Sequence, residues 1–271
     1  MSTTHRLLDS HAHLDFADFD HDRDALLTQM QQHCIGGCVL PGVSPEQWPK
    51  MRAIAEQYQL PYALGIHPWY LPNELEPAIS ALTQALDDAV SSSAAKLVAL
   101  GECGLDKLRA KRMAEQGDAD NWMRQLALFE RQLQLAEHYQ LPLIIHAVQC
   151  HGAMLELLAK YRLPRAGVIH GFSGSVEIAQ QYWHSGWRLG IGGLLLNPQA
   201  KKLRAVVEQL PLAALLVETD APDMTPVTSD SPRNTPLTIL AVIAEIARLR
   251  KLSVVQVTEQ LSNNAIQLFD Y

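Results

Sequence analysis

Residue types able to hold a metal ion or move a proton occur in five short segments of this chain. They are D-S-H-A-H from Asp9 to His13, G-E-C-G-L-D from Gly101 to Asp106, L-I-I-H ending at His146, G-V-I-H-G-F-S-G carrying His170, and V-E-T-D-A-P carrying Asp220. Four of the five follow runs of Val, Leu and Ile that read as strands buried on both faces. His11, His13, Glu102, His146, His170 and Asp220 are therefore expected at the tips of parallel strands. Imidazoles and carboxylates converging on one rim are the donor set of a divalent-cation site. The H-x-H pair alone would equally describe two surface histidines. What favours ligation is convergence, because unrelated buried imidazoles would each need partners for both ring nitrogens.

The elements that must position these groups can be read from hydrophobic patterning. Eight strand candidates occur: Leu7 to Ser10, Gly36 to Pro41, Tyr62 to His67, Lys96 to Gly101, Leu141 to His146, Gly167 to His170, Arg188 to Gly192 and Leu215 to Glu218. Segments of helical character lie between them, such as Asn121 to Tyr139, where Met123, Leu126, Phe129, Leu133 and Ala136 recur at threes and fours. Pro61, Pro142 and Pro164 stand just before strands 3, 5 and 6, where a preceding helix must stop. Pro236 to Phe269 reads as two helices split near Leu252 and Ser253, and Pro222 to Pro236 as a long loop after strand 8. Alternation of this kind predicts an α/β fold, a TIM (β/α)8 barrel, as a single domain over residues 1–271. In a strand His11 and His13 would share a face with Asp9.

Length and composition agree with that architecture. The chain has 271 residues, of which 48% are hydrophobic, against about 250 for a typical barrel of this class. Cys34, Cys38, Cys103 and Cys150 form no C-x-x-C pair and no disulfide framework, so they are expected as thiols in a cytoplasmic protein. Neither a signal-peptide apolar region in Met1 to His13 nor a membrane-spanning run is evident, and no membrane association is expected. The net charge of −7 argues against a surface generally adhesive to nucleic acid, leaving room for a local basic patch.

Seven motifs, D-S-H-A-H-L-D, G-I-H-P, G-E-C-G-L-D, L-P-L-I-I-H, H-G-F-S-G, E-T-D-A-P and P-R-N-T-P, stand in an order and spacing that resemble the TatD-like metal-dependent hydrolases of the amidohydrolase superfamily, from Asp9 to about Phe269. The resemblance implies two divalent ions per chain, magnesium, manganese or zinc. It places His11, His13, Glu102 and Asp220 on the first ion and Glu102, His146 and His170 on the second, with Glu102 bridging. The implied activity is phosphodiester hydrolysis by a deoxyribonuclease acting on DNA ends, with nucleic acid as substrate and no obligate protein partner.

Residue chemistry gives each group a role. Two divalent ions can clamp a phosphate and lower the pKa of a water, and a carboxylate such as Glu102 has two oxygens to share between them. Asp220 is the expected acceptor of the attacking water's proton. Glu218, Asp9 or Asp15 could orient a ligand histidine, and solvated or helix-capping carboxylates are the alternative for Glu218 and Asp15. His67 in G-I-H-P either contacts the scissile phosphate or caps strand 3. Lys107, Arg109, Lys111 and Arg112 crowd an expected loop after strand 4, where Lys107 and Arg109 are candidates for phosphate capture and a solvated face is the alternative. Gly192 and Gly193 suit either a phosphate approach or a tight turn. Two departures from the family pattern bear on substrate: Ala147, Val148 and Gln149 replace the common Ser-Arg or Cys-Arg after His146, and Lys107 replaces a common aromatic. Carbonyl ester or amide hydrolysis, of an aminoacyl-tRNA or a small metabolite, is thus the enzymatic alternative, and a non-catalytic metal-binding interaction protein the remote one.

Overall fold

A computed structural model describes residues 7–270. In chain order the strands are β1 (Leu7–Asp9), β2 (Ile35–Cys38), β3 (Tyr62–Leu64), β4 (Leu97–Asp106), β5 (Leu143–Val148), β6 (Gly167–Ile169), β7 (Arg188–Ile191) and β8 (Leu215–Val217). The helices are α1 (Arg23–Gln32), α2 (Trp48–Tyr58), α3 (Leu75–Val90), α4 (Lys107–Glu115), α5 (Asn121–Tyr139), α6 (His151–Leu158), α7 (Val176–His184), α8 (Lys201–Gln209), α9 (Ile239–Arg250) and α10 (Val254–Phe269). The described chain forms two compact units, one running to Leu40 and resuming at His170, the other Pro41–Ile169.

In the first unit β1 pairs with β2 in parallel through Leu8↔Gly37 and Asp9↔Cys38, and β7 pairs with β8 through Leu189↔Leu215 and Ile191↔Val217. Ser10 N donates to Val217 O at 3.0 Å and Ala12 bridges to Ala221, which sets β8 beside β1. In the second unit β4 pairs with β3 and β5, and β5 with β6, all in parallel. Gly104 is required where β4 meets β5: its φ is +135°, and a Cβ there would lie 2.2 Å from His146 O. Strands β1, β3, β6 and β8 are buried at every residue, as apolar runs covered on both faces should be.

Helix α5 spans the expected residues and buries Phe129, Leu133 and Ala136 of the apolar set together with Leu128, whereas Met123 is exposed and Leu126 half-buried. The split after Arg250 follows from Lys251 in a left-handed conformation and from Ser253, which caps α10 in a capping box with Gln256. Three expectations need correction. The basic run Lys107 to Arg112 is the start of helix α4 and no loop: Asp106 caps it by accepting Arg109 N at 2.7 Å, and Lys, Leu, Arg and Ala are strong helix formers. Strand β4 continues through Asp106, so Glu102 lies within it and not past its tip. Strand β1 ends at Asp9, so His11 and His13 follow it on backbone held by neighbouring segments. Among the described residues no helix is long and apolar enough to cross a membrane.

Candidate metal centre

The first unit builds one cluster on the segment after β1. Ala12 N donates to Val39 O at 3.1 Å, His13 N to Ala221 O at 2.7 Å and Asp220 N to His11 O at 2.9 Å, so histidines and aspartate are fixed by one ladder of main-chain bonds. His11 Nε2 and His13 Nε2 lie 3.4 Å and 3.7 Å from Asp220 Oδ1. The His170 ring stacks on that of His11 with centroids 4.1 Å apart and planes 9° from parallel. One ligand atom each from His11, His170 and Asp220 fall within 4.8 Å of one another.

Two buried carboxyls support this cluster in different ways. Asp9 accepts the Thr219 hydroxyl at 2.6 Å, Thr219 N at 3.1 Å and His11 N at 3.1 Å. It therefore orients main chain on both sides of the cluster, where the sequence suggested an imidazole. Burial pushes its carboxyl well up, with those hydrogen bonds only partly opposing. Glu218 accepts Gly171 N, the residue after His170, and lies 3.8 Å from His170 Nδ1, beyond hydrogen-bond distance. Burial raises its pKa too, opposed by the neighbouring His170 and His11. Asp15 is buried. Thr219 was not singled out by sequence, nor was Asn234, whose side-chain amide donates to Thr219 O at 2.8 Å and ties the loop after β8 to the cluster. The motif P-R-N-T-P was the available signal. Gly193 serves packing: a Cβ there would meet Pro226 at 2.8 Å, and Gly192 and Gly193 line a cavity of about 10 Å³ with Glu218 and Asp220, about the room one water needs.

The second unit builds a cluster around Glu102. His67 Nε2 and His146 Nδ1 lie 3.2 Å and 3.1 Å from Glu102 Oε1, and the three residues bring ligand atoms within 4.8 Å of one another. His67 Nδ1 accepts Trp69 N at 3.1 Å, so in the neutral ring Nε2 carries the hydrogen and donates. His67 thus caps the turn after β3, the second of its two expected roles, and turns its Nε2–H toward Glu102. His146 Nε2 lies 3.4 Å from Asp106 Oδ2, which also accepts Trp69 Nε1 at 2.7 Å. Burial would raise the Asp106 pKa, but hydrogen bonds from His146, Arg109 N and Trp69 outweigh it and hold the carboxyl at about 2.

Helix α5 positions this cluster through two glutamines. Gln132 accepts Ile66 N at 2.8 Å and donates to Ile66 O at 3.0 Å; Gln125 accepts Asp106 N at 2.7 Å and donates to Asp106 O at 3.0 Å. Lys107 is exposed and Arg109 half-buried, on α4 beside Asp106.

The first cluster offers two imidazole nitrogens and carboxylate oxygen, and the second Glu102 and His146 with the His67 N–H turned toward them, all from largely buried side chains, which fits a divalent cation: neutral histidine suits zinc, and carboxylate magnesium, manganese or zinc. The structure groups His170 with His11 and Asp220, and His67 with Glu102 and His146. Eight parallel strands alternating with helices, with Glu102 and His146 in the C-terminal halves of β4 and β5 and His11, His13, His67, His170 and Asp220 past the ends of their strands, define a metallohydrolase of the TIM (β/α)8 class. The family model described as TatD related DNase matches residues 8–270, and the chain belongs to that family of metal-dependent hydrolases. It is 38% identical over 266 residues to the uncharacterized metal-dependent hydrolase YjjV of Escherichia coli, covering 98% of each chain. The crystal structure of YjjV matches with a TM-score of 0.89, 37% identity and 98% of both chains covered. Human deoxyribonuclease TATDN3 is 30% identical over 97% of this chain and 94% of its own. The 3'-5' ssDNA/RNA exonuclease TatD of Cronobacter sakazakii is 30% identical over 93% and 94%.

Proposed function

We propose that this protein is a single-domain, cytoplasmic phosphodiesterase that hydrolyses nucleic acid at DNA ends with two divalent ions, magnesium, manganese or zinc. The observation that carries this reading is the gathering of His11, His170 and Asp220 in one buried cluster and of Glu102 and His146, beside His67, in the other. Relatives named as a deoxyribonuclease and as a 3'-5' ssDNA/RNA exonuclease support the substrate class, and free thiols at Cys34, Cys38, Cys103 and Cys150 fit a reducing compartment. His11, His13 and Asp220 would serve one ion, His146 and His170 the other, and Glu102 both.

Bound there, the ions would supply positive charge to the phosphate and acidify a water. Asp220 takes the proton from the attacking water, and Glu102, with two oxygens in a fixed place, holds the reacting groups in register. His67 Nε2–H donates to a phosphate oxygen; Lys107 and Arg109 hold flanking phosphates. Asp9, Asp15 and Glu218 keep the ligands oriented.

The test is a purified-protein screen across end-labelled DNA, an aminoacyl ester and a generic phosphodiester, with each metal and with chelator. Metal-dependent shortening of DNA is expected, and Asp220→Asn should lower turnover roughly 10²- to 10⁴-fold. Cleavage of the aminoacyl ester alone would move the protein to carbonyl chemistry.

A further inference from the structure

Trp69 and Tyr70 are 53% and 48% exposed, large surfaces to leave in water on a loop that also carries His67. The Trp69 ring is nevertheless held. Its Nε1 donates to Asp106 Oδ2 at 2.7 Å, its backbone N donates to His67 Nδ1 at 3.1 Å, and the Arg109 guanidinium stands over the indole 5.6 Å from its centroid. The indole is thus fixed at its Nε1 edge and under the Arg109 guanidinium while more than half of the residue stays exposed, which makes it a prepared contact surface. The neighbours say what kind. Arg109 and the exposed Lys107, Lys111 and Arg112 lie on α4, directly after Asp106, and the His67 ring is 5.7 Å from the indole and 6.2 Å from the phenol. A flat ring, a guanidinium beside it and a donor to phosphate one residue-length away suit a nucleotide, whereas an apolar peptide would have to desolvate those cations.

We propose that Trp69, with Tyr70 beside it, stacks a nucleobase of the strand whose phosphate lies at His67. This rests on the phosphodiesterase reading and narrows it. A base must have an open face to stack on protein, so the substrate is single-stranded at that position, as a free strand or a frayed end. Stacking also tolerates any base, so little sequence preference is expected.

The test compares an end-labelled oligonucleotide with an abasic strand of the same length, in wild type, Trp69→Ala and Trp69→Phe. For the base-bearing strand Trp69→Ala should raise KM about tenfold with little change in kcat, the scale of one stacked base. Trp69→Phe, which keeps a ring but drops the N–H to Asp106, should recover most of that loss. On the abasic strand wild type and Trp69→Ala should have equal KM. Equal KM increases on both strands, or no recovery with Phe, would overturn the proposal and leave Trp69 as a prop for Asp106. Binding of both strands by fluorescence anisotropy separates the two readings. Base-dependent binding lost in Trp69→Ala with no cleavage of any strand would sink the phosphodiesterase reading and keep the stacking one; cleavage indifferent to bases would do the reverse.

Discussion

Gln132 reaches from α5 to the main chain of Ile66, accepting its N–H at 2.8 Å and donating to its carbonyl at 3.0 Å, one residue before His67. Both partners are buried, and the amide replaces the strand neighbour that Ile66 would otherwise need. Gln132→Leu keeps volume but strands both main-chain groups, at about 1–3 kcal/mol for each buried group left unsatisfied. Urea unfolding should show the loss, whereas Arg131→Leu on the half-exposed side of the same helix should cost far less.

Asp106 should act on metal affinity through His146. Its carboxylate lies 3.4 Å from His146 Nε2 while His146 Nδ1 lies 3.1 Å from Glu102 Oε1, so one nitrogen is oriented and the other faces the cluster. Asp106→Asn keeps the cap on Arg109 N but puts a donor where Oδ2 accepts Trp69 Nε1, so melting temperature should fall modestly. Metal affinity, measured by competition with a chromophoric chelator, should fall roughly 10- to 100-fold, the usual cost of losing an outer partner of a ligand. Unchanged affinity in the folded variant would reduce Asp106 to a cap.

Glu245 predicts an acid-dependent loss of stability away from the metal centre. Hydrogen bonds from Arg248, against opposing burial, and then from Arg204 hold its carboxyl at about 2 instead of 4.5. The pKa is depressed on folding, so the stability is fully present above about 4.5 and lost as pH falls toward about 2. The melting-temperature gap between wild type and Glu245→Gln should be largest near neutrality and narrow through that window. A gap independent of pH would mean that packing, not charge, is what the substitution removes.

Much of the candidate site was legible because strand ends are marked locally: Val168 and Ile169 precede His170, and Ile144 and Ile145 precede His146. What escaped depends on contacts between distant segments. Gln125 and Gln132 look like ordinary polar positions of α5 until they meet Asp106 and Ile66, and nothing beside Trp69 announces its bond to Asp106. The start of α4 was readable from Asp106 as a cap, yet the cluster of charge around Lys107 suggested a loop. The expected sharing of His170 with His146 came from motif resemblance, while its stacking on His11 follows from where the chain puts the ring.

In the proposed site six residues hold two ions and Glu102 serves both. Elemental analysis of metal per chain, after loading and gel filtration, tests it most directly. Wild type should retain two ions, His11→Ala should lose mainly the ion shared with His13 and Asp220, and His170→Ala mainly the one shared with His146. Glu102→Ala should fall well below one ion per chain; retention of two ions by that variant would contradict the account.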